Sequence, residues 1–346
     1  MRGLVLAVWA ILASFPVLAQ PALLNTAALP EGVRGQYGAF LLGHLPRAFA
    51  LSKDGKMGWY AGADTLEVAR QRALKSCQDK GGTACALYAE NLSVVGKPEA
   101  LAVPPAVMLF GEAGRPLTLF GGAGWGFEYD ARYFYWGPSR AKGVYVFSHG
   151  KNPNDVDARG FQAHPFVRYF NDRGFDVVMF AREPTADDRD KAAGWLRDGL
   201  KRVRGLGYKM VIAGGQSRGA WNSLQSLDTA GLAEAVIAVS AASNGVNAGA
   251  QASLGQAEVY RIFSAANAPQ ARVAVVQFAN DDYEHNPDKR FSMADDLLKP
   301  KVAALLKINQ PAGVSGHGGG YAMKFATDYA GCLYRFATEA VPPGAC

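Results

Sequence analysis

The sequence predicts an α/β fold, a mostly parallel sheet flanked by helices, preceded by a small α+β domain. Three observations carry that expectation. Beyond residue 127, near-continuous apolar runs alternate with helical segments, the pattern of strands buried on both faces. Residues 46–96 hold a strand–strand–helix–strand pattern of their own. The four cysteines, Cys77, Cys85, Cys332 and Cys346, fall into two sequence-local pairs, one in each region.

The chain begins with Met1-Arg2, an apolar run over residues 4–18 and the small-residue ending Val17-Leu18-Ala19. This predicts a signal peptide over residues 1–19, with the mature chain starting at Gln20. The run is short for a membrane span and nothing later resembles one, so a periplasmic or secreted protein without integral membrane contact is expected. An oxidising compartment suits two disulfides. Four cysteines permit three connectivities, and locality favours Cys77–Cys85 with Cys332–Cys346. No Cys-x-x-Cys or short Cys/His spacing occurs, so no metal site is expected.

The 346 residues are 49% hydrophobic and 19% charged, ordinary proportions for a globular protein. The net charge of +6 is scattered. Its densest cluster, Lys201, Arg202 and Arg204, ends a predicted amphipathic helix, where cations favour the C-terminus and face water. No nucleic-acid partner is expected.

Residues 20–45 show little periodicity and read as a leader or loop. Strands are predicted over 48–52 and 57–61 around an Asp54-Gly55 turn. Thr65 caps a helix to Cys77, and a strand follows over 84–95. The unit resembles a small cysteine-containing domain of unknown function in exported bacterial proteins, which implies a packing or recognition module. Residues 97–126, rich in Gly and Pro, read as a linker; no Gly-x-Gly-x-x-Gly spacing supports a nucleotide loop. The main domain is expected over 127–346. Its strands are predicted at 129–136, 143–148, 175–181, 209–213, 235–239 and 273–278, with helices at 165–171, 188–204, 220–227, 258–266 and 325–338. Residues 245–255 are the only candidate lid.

The chemistry-bearing signal is Gly215-Gln216-Ser217-Arg218-Gly219, which fits Gly-x-Ser-x-Gly. An apolar strand runs into it and a helical segment leaves it. That frame lifts a serine hydroxyl clear of a sheet, and the flanking glycines remove the Cβ atoms that would collide in so sharp a turn. The backbone N–H of Arg218 would then meet a developing oxyanion. Other polar groups close apolar strands: His149-Gly150 after 144–148, and Asp281-Asp282 after 273–278. His317 stands in the glycine-rich loop 314–320, ahead of the last helix.

With these residues the chain resembles the α/β-hydrolase superfamily over residues 127–336. The run Gly215-Gln-Ser-Arg-Gly-Ala-Trp-Asn222 is similar to exported hydrolases distantly related to the dienelactone hydrolase group. The resemblance implies an eight-strand-type sheet and no metal or organic cofactor. It gives Ser217 as nucleophile and His317 as general base. The acid is Asp282, counted four residues from Phe278, with Asp281 close behind and Glu284 a distant third. The second oxyanion donor is the backbone N–H of Gly150 or Lys151, and His149 is a scaffold residue. The implied activity is hydrolysis of a small-molecule carboxylic ester, lactone or thioester through an acyl-enzyme. A serine peptidase or amidase and a non-catalytic binding protein of the same fold are the alternatives. Arg218 departs from the small or apolar residue common there and suggests an anionic substrate group. In a third reading the N-terminal unit binds envelope or partner and the hydrolase is its cargo.

Overall fold

The structure is a computed structural model that describes residues 22–96, 117–130, 132–151, 157–184, 188–242, 250–284, 286–339 and 346. The predicted signal peptide, residues 97–116 of the predicted linker and part of the candidate lid lie outside the described residues.

The N-terminal unit comprises α1 (Glu31–Leu42), β1 (Arg47–Leu51), β2 (Met57–Ala61), α2 (Leu66–Asp79), β3 (Ala86–Glu90) and β4 (Ser93–Val94). Its sheet is antiparallel in the order β2-β1-β3-β4. Thr65 caps α2 by accepting from the Val68 N–H at 3.2 Å. Ala69, Ala73 and Cys77 then pack on Ala48 and Ala50 of β1. Gly58 allows the helix to lie against β2, because a Cβ there would stand 2.2 Å from the Cys77 nitrogen. Cys77 and Cys85 close the unit at a Cα separation of 6.2 Å.

Helix α1 replaces the loop expected over residues 20–45. Gly32, Gly35 and Gly38 weaken its intrinsic helicity. Burial of Val33, Tyr37, Phe40 and Leu41, one stripe at helical spacing, outweighs that loss. The stripe meets Phe49 and Phe134, while Leu42 joins the core of the larger domain. His44 reaches the same way, its Nε2 lying 3.1 Å from the Ala163 carbonyl.

The larger domain continues with β5 (Leu117–Gly122), β6 (Trp125–Tyr129), β7 (Gly143–Ser148), α3 (Pro165–Asn171), β8 (Phe175–Arg182), α4 (Arg189–Gly205), β9 (Val211–Gln216) and α5 (Arg218–Gln225). It is completed by β10 (Ala235–Val239), α6 (Ala250–Ala265), β11 (Ala268–Gln277), α7 (Pro287–Met293), β12 (Val302–Asn309) and α8 (Met323–Thr338). The eight strands run in the order β12-β11-β10-β9-β7-β8-β6-β5. Those from β12 to β8 are parallel, and β6 is antiparallel to both neighbours. Side chains alternate as a two-faced sheet requires. Val144, Val146, Val211, Ala213, Val273 and Val275 meet the layer of α4, α5 and α6. Tyr145, Phe147, Ile212, Ile237, Ala274 and Val276 meet α3 and α8.

Two further expectations are corrected. The last ten residues of the predicted linker, 117–126, are β5 and the start of β6. Their glycines serve close approach, since a Cβ on Gly121 would stand 2.5 Å from the Trp125 carbonyl oxygen. The strand expected over 129–136 ends at Tyr129. Edge strand β12 and helix α7 were not foreseen; β12 is only half-buried and lacks the continuous apolar run of its neighbours. Cys332 and Cys346 pair at a Cα separation of 5.5 Å. Among the described residues no helix is long and apolar enough to cross a membrane.

Candidate active site

Ser217 occupies the turn between β9 and α5 at φ 55° and ψ −119°, a conformation that non-glycine residues seldom adopt. The surroundings enforce it. The Ser217 N–H donates to the Val239 carbonyl at 3.1 Å, and the Ser217 carbonyl accepts from Trp221 and Ala242 at 3.0 and 3.2 Å. Gly215 and Gly219 are obligatory, because a Cβ on either would fall about 2 Å from the Ser148 carbonyl oxygen of β7. The hydroxyl makes no cap hydrogen bond to α5, so it is not consumed as a helix cap. Arg218 opens α5, whose first-turn N–H groups lack intrahelical partners.

Gly150 ends β7 beside this turn. A Cβ there would lie 2.3 Å from Gln216 Oε1 and 3.2 Å from Ser217 Cβ. His149 holds the adjacent peptide. Its Nε2 accepts from the Arg182 N–H at 2.9 Å, which leaves Nδ1–H to donate to the Gly150 carbonyl at 2.7 Å. That carbonyl belongs to the Gly150–Lys151 peptide, so fixing it also fixes the direction of the Lys151 N–H. Burial and the nearby Arg182 cation push the His149 imidazole down to about 3, which keeps it neutral and suits it to this scaffold role.

His317 reaches the site on a loop seated by glycines. Gly319 lies on Phe278, Gly320 lies on His164 and Val239, and the Gly316 N–H donates to the Ala279 carbonyl at 2.7 Å. Gln216, the neighbour of Ser217, donates through Nε2 to the His317 carbonyl at 3.2 Å and ties the loop to the serine turn. The imidazole Nδ1 lies 2.8 Å from Asp281 Oδ1. A buried carboxylate accepts there, so Nδ1 carries the proton and Nε2 keeps its lone pair.

The carboxylate is Asp281, and the expectation favouring Asp282 is corrected. Asn280 takes a left-handed conformation (φ 55°) after the strand, so Asp281 points inward and Asp282 into solvent. Glu284 is buried too, but it pairs with Arg290, both about 3% exposed. Arg290 also donates to the Ala241 carbonyl, next to the residue that bonds Ser217, and so joins the acid loop to the serine turn. Burial lowers its guanidinium, against the pull of Glu284 and Asp281. Neither Arg290 nor Tyr283, whose ring lies 4.1 Å from that of His317, was foreseen from sequence. Both depend on how the acid loop folds.

The other histidines sort clearly. His44, His149 and His164 are buried, and burial holds each near 3. His285 lies outside the described residues. Among the described residues no group of three or more His, Cys, Asp or Glu is arranged to hold a metal ion. A buried acid, an imidazole and a hydroxyl on a strained turn thus gather at the C-terminal edge of the sheet, with backbone donors beside them. The arrangement suits proton abstraction from a hydroxyl and stabilisation of an oxyanion.

No family model matches the chain, and no curated protein sequence is significantly similar to it. Solved structures do match. The esterase Pf2001 of Pyrococcus furiosus superposes with a TM-score of 0.50 at 12% identity, covering 67% of this chain and 92% of that one. A putative dienelactone hydrolase from Klebsiella pneumoniae gives 0.42 at 11% identity, covering 65% and 98%. Est1E from Butyrivibrio proteoclasticus gives 0.45 at 9% identity, covering 66% and all of that chain. At these identities the likeness is one of fold.

Proposed function

We propose that this chain, which has the α/β-hydrolase fold, is an exported serine hydrolase that cleaves a small-molecule carboxylic ester through an acyl-enzyme on Ser217. One observation carries the reading. Ser217 is held in a strained turn at the end of β9, and the Asp281–His317 pair is bonded to the residue beside it. Strain of this kind costs about 1–3 kcal/mol and persists where the surroundings enforce it, commonly at sites of chemistry.

In this mechanism His317 Nε2 takes the hydroxyl proton as Ser217 Oγ bonds to the substrate carbonyl carbon. Asp281 holds Nδ1–H and stabilises the imidazolium. The backbone N–H groups of Arg218 and of Gly150 or Lys151 receive the oxyanion. His317 returns the proton to the leaving oxygen, and the same steps with water release the acid. Export is supported by the apolar run over 4–18 and by the paired cysteines.

The test is turnover of p-nitrophenyl acetate and butyrate beside aminoacyl p-nitroanilides. Ester hydrolysis lost in Ser217→Ala and His317→Ala supports the reading. Faster turnover of the anilides would move it to amidase chemistry, and turnover surviving in Ser217→Ala would remove it.

A further inference from the structure

We infer that Tyr283 is a positioning residue for this reaction: it holds the His317 ring by one face and favours the imidazolium formed as Ser217 loses its proton. The inference rests on the function proposed above.

The acid loop contacts the imidazole twice. Asp281 Oδ1 accepts from Nδ1 at the ring's edge, at 2.8 Å. Two residues on, the Tyr283 N–H donates to that same oxygen at 2.9 Å, and the Tyr283 ring lies 4.1 Å from the imidazole with the planes tilted by 34°. One short turn therefore supplies both a negative edge partner and a π face.

Both contacts matter because His317 stands between Gly316 and Gly318-Gly-Gly320, which give it no Cβ neighbours along the chain. The carboxylate fixes one edge of the ring, and an aromatic plane against the face opposes rotation out of that plane. The π face is electron-rich and attracts a cation more than a neutral ring, so it favours the imidazolium. The proton on Nε2 comes from Ser217 Oγ as the O–C bond forms, while the Nδ1 proton stays on the imidazole and is donated to Asp281 Oδ1.

Other charged groups nearby come from several elements. Asp281 and the Glu284–Arg290 pair lie on the acid loop and α7. Buried, neutral His164, at the start of α3, lies against Gly320. Gln216 adds a neutral amide from β9, and Arg218 opens α5. All persist in a variant at position 283, so a displaced rate profile reports on the ring.

The experiment measures kcat and KM for p-nitrophenyl acetate over about pH 5.5–9 with the wild type and Tyr283→Leu, Tyr283→Phe and Tyr283→Trp. Tyr283→Leu is expected to lower kcat roughly threefold to tenfold with KM within about twofold. Its acidic limb of kcat/KM should move down by about half a pH unit, because the base loses a partner for its protonated form. Tyr283→Phe keeps both rate and limb, and Tyr283→Trp keeps the limb or raises it. A Leu variant that superimposes on the wild type overturns the inference, as does a Phe variant that falls as far as Leu. Should Tyr283→Leu fail to fold, the Phe and Trp variants decide, and a Trp limb below that of Phe overturns it. Wild type that hydrolyses no ester overturns the underlying reading as well; active wild type beside an unchanged Leu variant removes this inference alone.

Discussion

The N-terminal unit and the large sheet place their conformational exceptions differently. In the small unit the non-glycine residues at positive φ are Ala84, beside the Cys77–Cys85 bridge, and Asn91, in the β3–β4 turn. Asn91 serves packing there, accepting from the Arg47 N–H at 3.1 Å. In the large domain the described exceptions are Ser217, Ser240, Asn280 and Gln310, which follow the C-terminal ends of β9, β10, β11 and β12. One unit thus uses unusual backbone to close turns. The other collects it along a single sheet edge, beside a buried carboxylate and a part-exposed imidazole. Strain gathered on one edge beside titratable groups is the pattern common at sites of chemistry, whereas scattered strain only closes turns. The units are not separable, because α1 and His44 pack into the larger domain. That contact disfavours the N-terminal unit as an independent binder with a hydrolase in tow.

The largest effect should separate two adjacent carboxylates. Asp281→Asn is expected to lower kcat/KM for an ester by on the order of 10⁴-fold through the wrong imidazole tautomer. Asp282→Asn should leave it within about twofold. Equal losses would break the assignment of the inward carboxylate. Gly150→Ala comes next, at about 10²-fold in kcat, the size of one lost oxyanion donor. Its Cβ would displace Gln216 from the His317 carbonyl and crowd Ser217. A fully active variant would show that the edge tolerates what its geometry forbids.

In the small unit the same reasoning predicts stability without chemistry. Replacing Cys77 and Cys85 by Ser should lower unfolding free energy in urea by about 2.5 kcal/mol, the value for so short a loop. The kcat of the surviving fold should be unchanged, and a matching loss of kcat would place the unit within the reaction.

The smallest effect spans both regions. His44, His149 and His164 each stand near 3 when folded, against 6.5 in their ordinary state. Their stabilisation is therefore present above pH 6.5 and lost as pH falls toward 3, because the unfolded chain takes protons the folded one refuses. Asp176, raised to about 6 by burial, acts oppositely, since its folded form takes a proton first. These four groups together are expected to cost about 2 kcal/mol between pH 6.5 and 5.5 in urea titrations, a loss lessened by Glu128 and Asp172, whose carboxyls burial also raises. His44→Gln should shallow the slope by one proton, and a flat profile would contradict burial of neutral imidazoles.

How much of this was legible in the sequence follows physical range. The β9–Ser217–α5 frame was legible because strand period, glycines and helix start are all local. His317 could be picked out as a candidate because it stands in a glycine loop before the last helix. Asp281 was not separable from Asp282, since the direction of each depends on the left-handed Asn280, which a short polar turn does not announce. Arg290, Tyr283 and the His149–Gly150 bond act through folded contacts between segments. The β5–β6 hairpin and α1 were hidden by glycines that tertiary packing exploits, and β12 by the weak pattern of a half-buried edge.

The most direct measurement is covalent labelling of the purified protein with a fluorophosphonate, followed by peptide mass mapping beside Ser217→Ala. A single adduct on the peptide carrying Ser217, absent from the variant, is expected. An unlabelled wild type, or an adduct on another serine that persists in Ser217→Ala, would contradict it.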